Sequence, residues 1–150
     1  MDHCSFLNYW SGGVRQAPSV IFTDWYDDLN GQIQERTLAG SEFNNCIFWG
    51  NNHNLQDFDE LVVSLLNPPT SPLIRHSAVD VQDEDFPEQI LDACTTNEVP
   101  PFLSISDRDF HLNSNNSMWD GGVGQFNIGV DLDGLPRVVG WPDKGCYERQ

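Results

Sequence analysis

A short pattern of polar and apolar residues occurs twice near the start of the chain, 42 residues apart. Residues 2–6 read Asp-His-Cys-Ser-Phe, and residues 44–48 read Asn-Asn-Cys-Ile-Phe. In each copy Cys and Phe are two residues apart, so both side chains point to the same face of a β-strand. Strands that repeat like residues at like positions can stack, as they do in β-solenoids. The spacing is about twice that of one solenoid coil, which predicts a coil with an inserted hairpin.

This repeat makes a specific prediction about the interior. Cys4 and Cys46 should point into one core, with Phe6 and Phe48 beside them. In-register stacking would place neighbouring coils about 4.8 Å apart.

Other strands are predicted from apolar alternation and turn residues. Asn30-Gly31 favours a hairpin turn, and the prolines within residues 67–72 cannot continue a strand. The predicted strands are residues 19–23, 32–38 (as the return strand of that hairpin), 58–66, 73–81, 109–112, and 126–132 with 135–139 around Asp133-Gly134.

One helix start is visible in residues 83–91. Asp85 can cap the helix, Pro87 suits its first turn, and Glu88 lies three residues after the cap. Acidic residues there also match the helix dipole. We expect one short helix of roughly two turns that ends near residues 95–97.

The charge balance excludes several partners. The formal net charge is −16, with 23 Asp and Glu against 7 Lys and Arg. Nucleic acid and anionic membrane surfaces both require clustered basic residues. No apolar run is long enough to cross a membrane. A neutral glycan, Ca²⁺ or solvent alone remains compatible with this composition.

The four cysteines do not indicate a zinc site. Cys4, Cys46, Cys94 and Cys146 are far apart, and no two of them form a Cys-x-x-Cys pair. Two disulfides would suit a secreted chain. An even number of cysteines suits four buried thiols equally, because Cys packs as a small apolar residue, and we expect the thiols to be free and buried.

Three segments together carry a family resemblance. Residues 43–52, Phe-Asn-Asn-Cys-Ile-Phe-Trp-Gly-Asn-Asn, resemble a rung of secreted right-handed parallel β-helix proteins. Residues 109–112, Asp-Phe-His-Leu, are similar to an element that follows their last full rungs. Residues 131–137 with 145–148 look like their closing motif. These proteins belong to the pectate-lyase-like superfamily and include bacterial proteins called choice-of-anchor Q.

The resemblance implies an architecture for one domain. It is all-β, with right-handed parallel β-helix rungs in residues 1–56, a crossover with one short helix in 57–106, and a C-terminal capping hairpin within 107–150. It also implies a longer protein that is exported by a signal peptide or lipoprotein signal, and that is extracellular or on the bacterial cell surface. An uncovered rung exposes unpaired backbone groups. We therefore expect another chain or upstream rungs to cover residues 1–8.

Polysaccharide lyases of this fold use acidic Ca²⁺ ligands together with an Arg or Lys base. The residues that could serve such chemistry are Asp24, Asp27 and Asp28, with Arg15 nearby. A carboxylate cluster beside a turn is also what a solvated loop contains. Asp131-x-Asp133-Gly134 does not match the spacing of a calcium loop. We expect no metal site and no cofactor, with Ca²⁺ the one ion left open.

Exposed aromatic residues could bind sugars by stacking on them. The candidates for carbohydrate binding are Trp10, Trp25 and Tyr26, which should then form one exposed face, and Tyr9 is a further candidate. Packing in the core explains the same residues.

Two functions remain open. The first is a non-catalytic extracellular or cell-surface scaffold that binds polysaccharide. The alternative is a polysaccharide lyase or glycoside hydrolase, with active rungs upstream or near Asp24–Asp28. The fold alone does not separate them, because one fold hosts both.

Overall fold

A computed structural model describes residues 1–13, 15–51, 58–67, 72–82, 86–113, 116–124, 128–137 and 140–149. Within these residues the named elements are β-strands and a 3₁₀ turn at Glu88–Ile90, and Gly124 also has 3₁₀ conformation. The strands are β1 (Ser5–Asn8), β2 (Val20–Thr23), β3 (Trp25–Asp27), β4 (Ile33–Glu35), β5 (Glu42–Asn44), β6 (Ile47–Gly50), β7 (Leu61–Ser64), β8 (Leu73–Arg75), β9 (Ala78–Val79), β10 (Leu91–Asp92), β11 (Thr95–Thr96), β12 (Phe102–Ser104) and β13 (Asp109–Leu112). The described chain is therefore all-β.

Three parallel stacks of strands organise the first two thirds of the chain. One sheet has the order β1-β6-β9-β11, a second has β10-β8-β5, and β2 pairs with β7. Every pairing in the three stacks is parallel. The strands thus form four levels: β1 with β2, then β5 to β7, then β8 with β9, then β10 with β11.

Each level turns the same corner before it enters the β1-β6-β9-β11 sheet. The corner residue has a left-handed backbone, which is uncommon for residues other than glycine. The four corner residues are His3, Asn45, His76 and Ala93, with φ of 51°, 53°, 48° and 51°. The N–H of the first three donates to a carbonyl of the following level, at 2.9 to 3.1 Å. Backbone geometry therefore repeats four times, although the Cys-x-Phe pattern occurs only twice.

The inward faces of the stacks form one apolar core. The Phe6 and Phe48 rings stack with centroids 4.8 Å apart. Cys46 is fully buried among these residues, and Cys4 is partly buried against the same core. The predicted shared core of Cys4, Cys46, Phe6 and Phe48 is confirmed. All four cysteines are free thiols.

The outward face of the same sheet is also buried. Ile47 and Trp49 point away from the first core, yet each is only 1% exposed. They pack in a second apolar cluster with Phe102, Leu112 and Met118 from the C-terminal part of the chain. A parallel strand covered on both faces carries apolar residues at consecutive positions, as Ile-Phe-Trp does in β6.

The segment expected to cap one end instead crosses the side of the stack. The Gly145 N–H donates to the Asn45 carbonyl at 2.8 Å, and the Cys146 N–H donates to Ser5 Oγ at 3.1 Å. Lys144 Nζ donates to Thr95 Oγ1 at 2.7 Å. Lys144 therefore contacts the fourth level, Gly145 the second and Cys146 the first. The apolar outward face of the sheet is the surface that this segment helps to cover.

The predicted helix is wrong for residues 91–97. The 3₁₀ turn is followed at once by β10 and β11. Leu91 in β10 and Cys94, which lies between the two strands, pack against the first core. Local capping signals were outweighed by burial of these two side chains. Residues 83–85, which include the predicted cap, lie outside the described residues. The stacked strands continue to residue 96, beyond the predicted boundary at residue 56.

Two hairpins were predicted, with different outcomes. β3 and β4 are antiparallel around Asn30-Gly31, which confirms the first turn, while β2 pairs instead with β7. Around Asp133-Gly134 a single antiparallel bridge joins Val130 and Pro136. Residues 126–127 and 138–139 of that second hairpin lie outside the described residues.

Candidate functional site

Asp24, a predicted catalytic candidate, is buried and holds the chain that follows β7. Its two carboxylate oxygens accept the N–H groups of Leu66 at 2.7 Å and Asn67 at 2.8 Å. Burial alone would raise the pKa of Asp24, but these donors outweigh it, and the pKa is lowered. Asp24 is therefore an ionised structural anchor.

Asp28 shapes the hairpin turn. Its Oδ1 accepts the N–H groups of Gln32 at 2.9 Å and Asn30 at 2.8 Å, and these bonds lower its pKa. Asp27 lies in β3 opposite Ile33. A side chain that satisfies turn amides in this way is a common structural use of Asp.

Arg15 does not pair with Asp24 or Asp28 but lies beside Glu60, as does Ser19. Its guanidinium pairs with Glu60, whose side chain is completely buried. Ser19 Oγ also donates to Glu60, at 2.7 Å. The contacts of Arg15, Asp24 and Asp28 thus give each residue a structural role of its own.

The strongest candidate for a binding site is a groove beside Trp10. This groove has a volume of about 530 Å³. The Trp10 side chain is 59% exposed, and Tyr9 and Arg108 line the same groove. The other lining residues are Leu7, Asn8, Ser11, Ile105, Ser106 and Phe110. The site thus combines aromatic and aliphatic surface with several hydrogen-bonding groups.

Two separate parts of the chain build this groove. Tyr9 and Trp10 directly follow β1, and Asn51 Nδ2 donates to the Trp10 carbonyl. The opposite wall is the turn between β12 and β13. The Tyr9 ring stacks on Phe110, with centroids 5.7 Å apart, and thereby fixes one wall against the other.

Arg108 gives the groove its cationic group. Among the described residues its guanidinium makes no hydrogen bond or ion pair, whereas Arg15, Arg75 and Arg137 each pair with a carboxylate. In a chain of net charge −16, such a cation is available to a ligand. Burial, with Glu60 and Asp80 nearby, raises the pKa of Tyr9, so its hydroxyl stays protonated and can donate.

The three predicted sugar-binding aromatics do not share one face. Trp25 and Tyr26 are consecutive in β3, so their side chains point to opposite faces. The guanidinium of Arg36 lies over the Tyr26 ring, 5.4 Å from its centroid. Trp10 is instead accompanied by Tyr9. Sequence reasoning missed Arg108, which is a single basic residue in a polar turn.

A second polar cluster joins the C-terminal motifs. His111 Nδ1 lies 2.5 Å from Asp109 Oδ1, and His111 Nε2 lies 2.9 Å from Asp133 Oδ2. The Tyr147 ring packs on the imidazole, with centroids 4.0 Å apart. The segments 109–112, 131–137 and 145–148, which are the C-terminal part of the family resemblance, are thus in direct contact.

Beneath this cluster lies a buried ion pair. Arg137 Nη1 is 3.3 Å from Glu148 Oε2, and both side chains are almost fully inaccessible. Burial raises the pKa of Glu148 to about 7 and lowers the pKa of Arg137. Asp131 accepts the N–H groups of Glu148 at 3.0 Å and Leu135 at 2.7 Å. This network holds the last residues in place.

Within the described parts of the chain, no group of three or more His, Cys, Asp or Glu side chains is arranged to hold a metal ion. The same residues contain no helix that is both long and apolar enough to span a membrane.

Comparison with protein-family models gave no match. Curated protein sequences and solved structures gave no significant match either.

Proposed function

We propose that this chain is a non-catalytic, extracellular or cell-surface scaffold that binds carbohydrate in the groove beside Trp10. The observation that carries this proposal is an exposed tryptophan that shares a groove with an available arginine. Binding sites combine apolar surface with a few placed polar groups. The apolar face of a sugar ring suits the Trp10 indole.

The fold that we propose for the scaffold is a right-handed parallel β-helix. Three parallel stacks, four levels and one repeated corner support it. Right-handed crossovers are the rule between parallel strands of one sheet. The resemblance of residues 43–52, 109–112 and 131–137 with 145–148 to secreted proteins of that class points the same way. The same resemblance is the basis for proposing an extracellular location.

The groove suits an oligosaccharide that carries a carboxylate or sulfate. Asn8, Ser11 and Ser106 can bond to sugar hydroxyls, and Arg108 can pair with an anionic substituent. The acidic surface would repel such a ligand at long range, but that repulsion is screened at physiological salt. A scaffold is preferred to a lyase or hydrolase because backbone N–H groups already engage Asp24 and Asp28.

Titration calorimetry with neutral and acidic oligosaccharides tests this proposal. We expect binding by the wild-type protein and at least a tenfold loss in Trp10→Ala, consistent with the energy of one stacked aromatic. Trp141→Ala is the matched control, because Trp141 is 62% exposed and does not line the groove. Equal binding by the Trp10 and wild-type proteins, or no binding of any oligosaccharide, would overturn the proposal.

A further inference from the structure

His111 links two segments that are far apart in sequence. Asp109 lies on the same strand, β13, and Asp133 lies in the turn that follows Val130. Each carboxylate faces a different ring nitrogen, at 2.5 Å and 2.9 Å. The imidazole side chain is 37% exposed, so solvent protons can reach it.

The two contacts require a particular protonation state. An ionised carboxylate only accepts hydrogen bonds, and a neutral imidazole donates from only one nitrogen. Both ring nitrogens of His111 face carboxylate oxygens, so both must donate. When both carboxylates are ionised, only the imidazolium ion satisfies both contacts.

Asp109, Asp133 and Tyr147 favour this charge on His111. The Tyr147 ring packs against the imidazole at an angle of 28°, where it can stabilise a cation. Glu148 and Arg149 line the same small cavity as Asp109 and His111. The Arg149 guanidinium is a like charge and opposes an imidazolium ion, so the two aspartates must outweigh it. Burial lowers the pKa of His111, but its bonds to Asp109 and Asp133 outweigh burial, and the pKa is raised.

We propose that His111 forms a pH-dependent link, here called the clasp, between the turn around Asp133 and the β12–β13 hairpin. The clasp consists of the two hydrogen bonds that the protonated imidazole donates to Asp109 and Asp133. When the imidazole loses its proton, one of the two bonds must be lost. Asp109 also accepts the backbone N–H of His111, at 3.2 Å, so this carboxylate stays in place. The clasp therefore opens on the Asp133 side.

Loss of the His111–Asp133 bond should affect only the turn around Asp133. The Asp131 N–H donates to the Leu135 carbonyl at 2.8 Å, and the Leu132 N–H donates to the Cys146 carbonyl at 2.9 Å. These backbone bonds do not depend on His111. The clasp thus adjusts how firmly one exposed turn is held and leaves the apolar clusters intact. It does not depend on which ligand the groove binds.

Two-dimensional NMR of the 150-residue protein across pH 5 to 9 tests the clasp. We expect the His111 ring to titrate above the ordinary value of about 6.5, and the amide shifts of residues 132–134 to move with the same midpoint. Asp133→Asn should lower that midpoint by at least half a pH unit. It should also remove the coupled movement of the turn, because the Asn amide group can donate a hydrogen bond to the unprotonated Nε2 of neutral His111.

Asp107→Asn is the matched control. Asp107 lies on the same hairpin but bonds to Ser104, so its substitution should leave the titration unchanged. Titration of His111 at or below 6.5, or turn amides that do not follow it in the wild-type protein, would overturn the proposal. An equal shift in both variants would assign the effect to general charge and would overturn it as well.

Discussion

The ring of Phe6 stacks on the ring of Phe48, with centroids 4.8 Å apart and planes 7° from parallel. These residues occupy the same position on neighbouring levels, because β1 and β6 pair in register. The centroid separation equals the spacing of hydrogen-bonded strands. Side-chain stacking and backbone pairing therefore reinforce each other at this point.

Phe48→Ala should be strongly destabilising. Phe48 is fully buried and contacts three other aromatic rings, so truncation leaves a cavity in the first core. We expect a loss of about 3 to 5 kcal/mol in the free energy of unfolding, measured by urea denaturation. Leu103→Ala, at a side chain that is 57% exposed, should change it by less than about 0.5 kcal/mol. Similar effects from both variants would contradict the assigned core.

Ala93→Gly should stabilise the protein. Ala93 has φ of 51°, a conformation that costs an L-residue about 1 to 2 kcal/mol and glycine almost nothing. The greater freedom of glycine in the unfolded chain offsets roughly 0.5 to 1 kcal/mol of that gain. We expect a net increase of about 0.5 kcal/mol in the free energy of unfolding. The matched variant Ala78→Gly, in strand β9, should lower the free energy of unfolding instead. A loss of stability in Ala93→Gly would contradict the left-handed corner conformation that is repeated on the four levels.

Stability should fall as pH rises through the neutral range. Burial raises the pKa of Glu148 to about 7, so the folded state holds its proton over a range where the unfolded chain, with a pKa near 4.5, has released it. The contribution of Glu148 is thus fully present below about pH 4.5 and is lost as pH approaches and passes 7. The raised pKa of His111 acts in the same direction at higher pH.

Urea unfolding at several pH values from 4.5 to 8 measures this dependence. Glu148→Gln should flatten the curve between about 4.5 and 7, whatever its effect on absolute stability. Glu35→Gln, at an exposed residue, should leave the curve unchanged. If the free energy of unfolding of Glu148→Gln still falls between about pH 4.5 and 7, titratable groups other than Glu148 cause the dependence.

Arg108→Gln should weaken the binding of acidic oligosaccharides and leave the binding of neutral ones nearly unchanged. Loss of the guanidinium removes the charged donor from the groove and leaves Trp10 in place. If the proposed function holds, the affinity for an acidic oligosaccharide should fall about tenfold, since a hydrogen bond to a charged group contributes roughly 1.5 to 3 kcal/mol. The affinity for a neutral analogue should change little. Calorimetry measures both, and an equal loss for the two ligands would place Arg108 in a structural role.

Local sequence signals predicted those features that neighbouring residues determine. Cys and Phe two residues apart indicated one strand face, Asn30-Gly31 indicated a hairpin, and residues 109–112 indicated a strand, and all three are present. Trp10 was also a candidate from the sequence, because an exposed aromatic residue can stack on a sugar, and its side chain is exposed.

The four-level stack was decided only by tertiary structure. Its corners are 42, 31 and 17 residues apart, so inserted segments of different length conceal the period. Ser77 and Cys94 follow the third and fourth corners, but no Phe two residues further on marks either copy. Backbone hydrogen bonds hold these levels, and such bonds place little demand on side-chain identity.

The groove and the clasp also depend on contacts between distant segments. Arg108 reaches Trp10 because the β12–β13 hairpin packs over the apolar outward face of the β1-β6-β9-β11 sheet. Asp133 reaches His111 because the last residues cross that same side of the stack. The sequence alone determined which side chains could carry chemistry. Only the tertiary structure decided which of them meet. Ile47 and Trp49 are buried because the C-terminal part of the chain packs over them, and that packing brings Arg108 to Trp10 and Asp133 to His111.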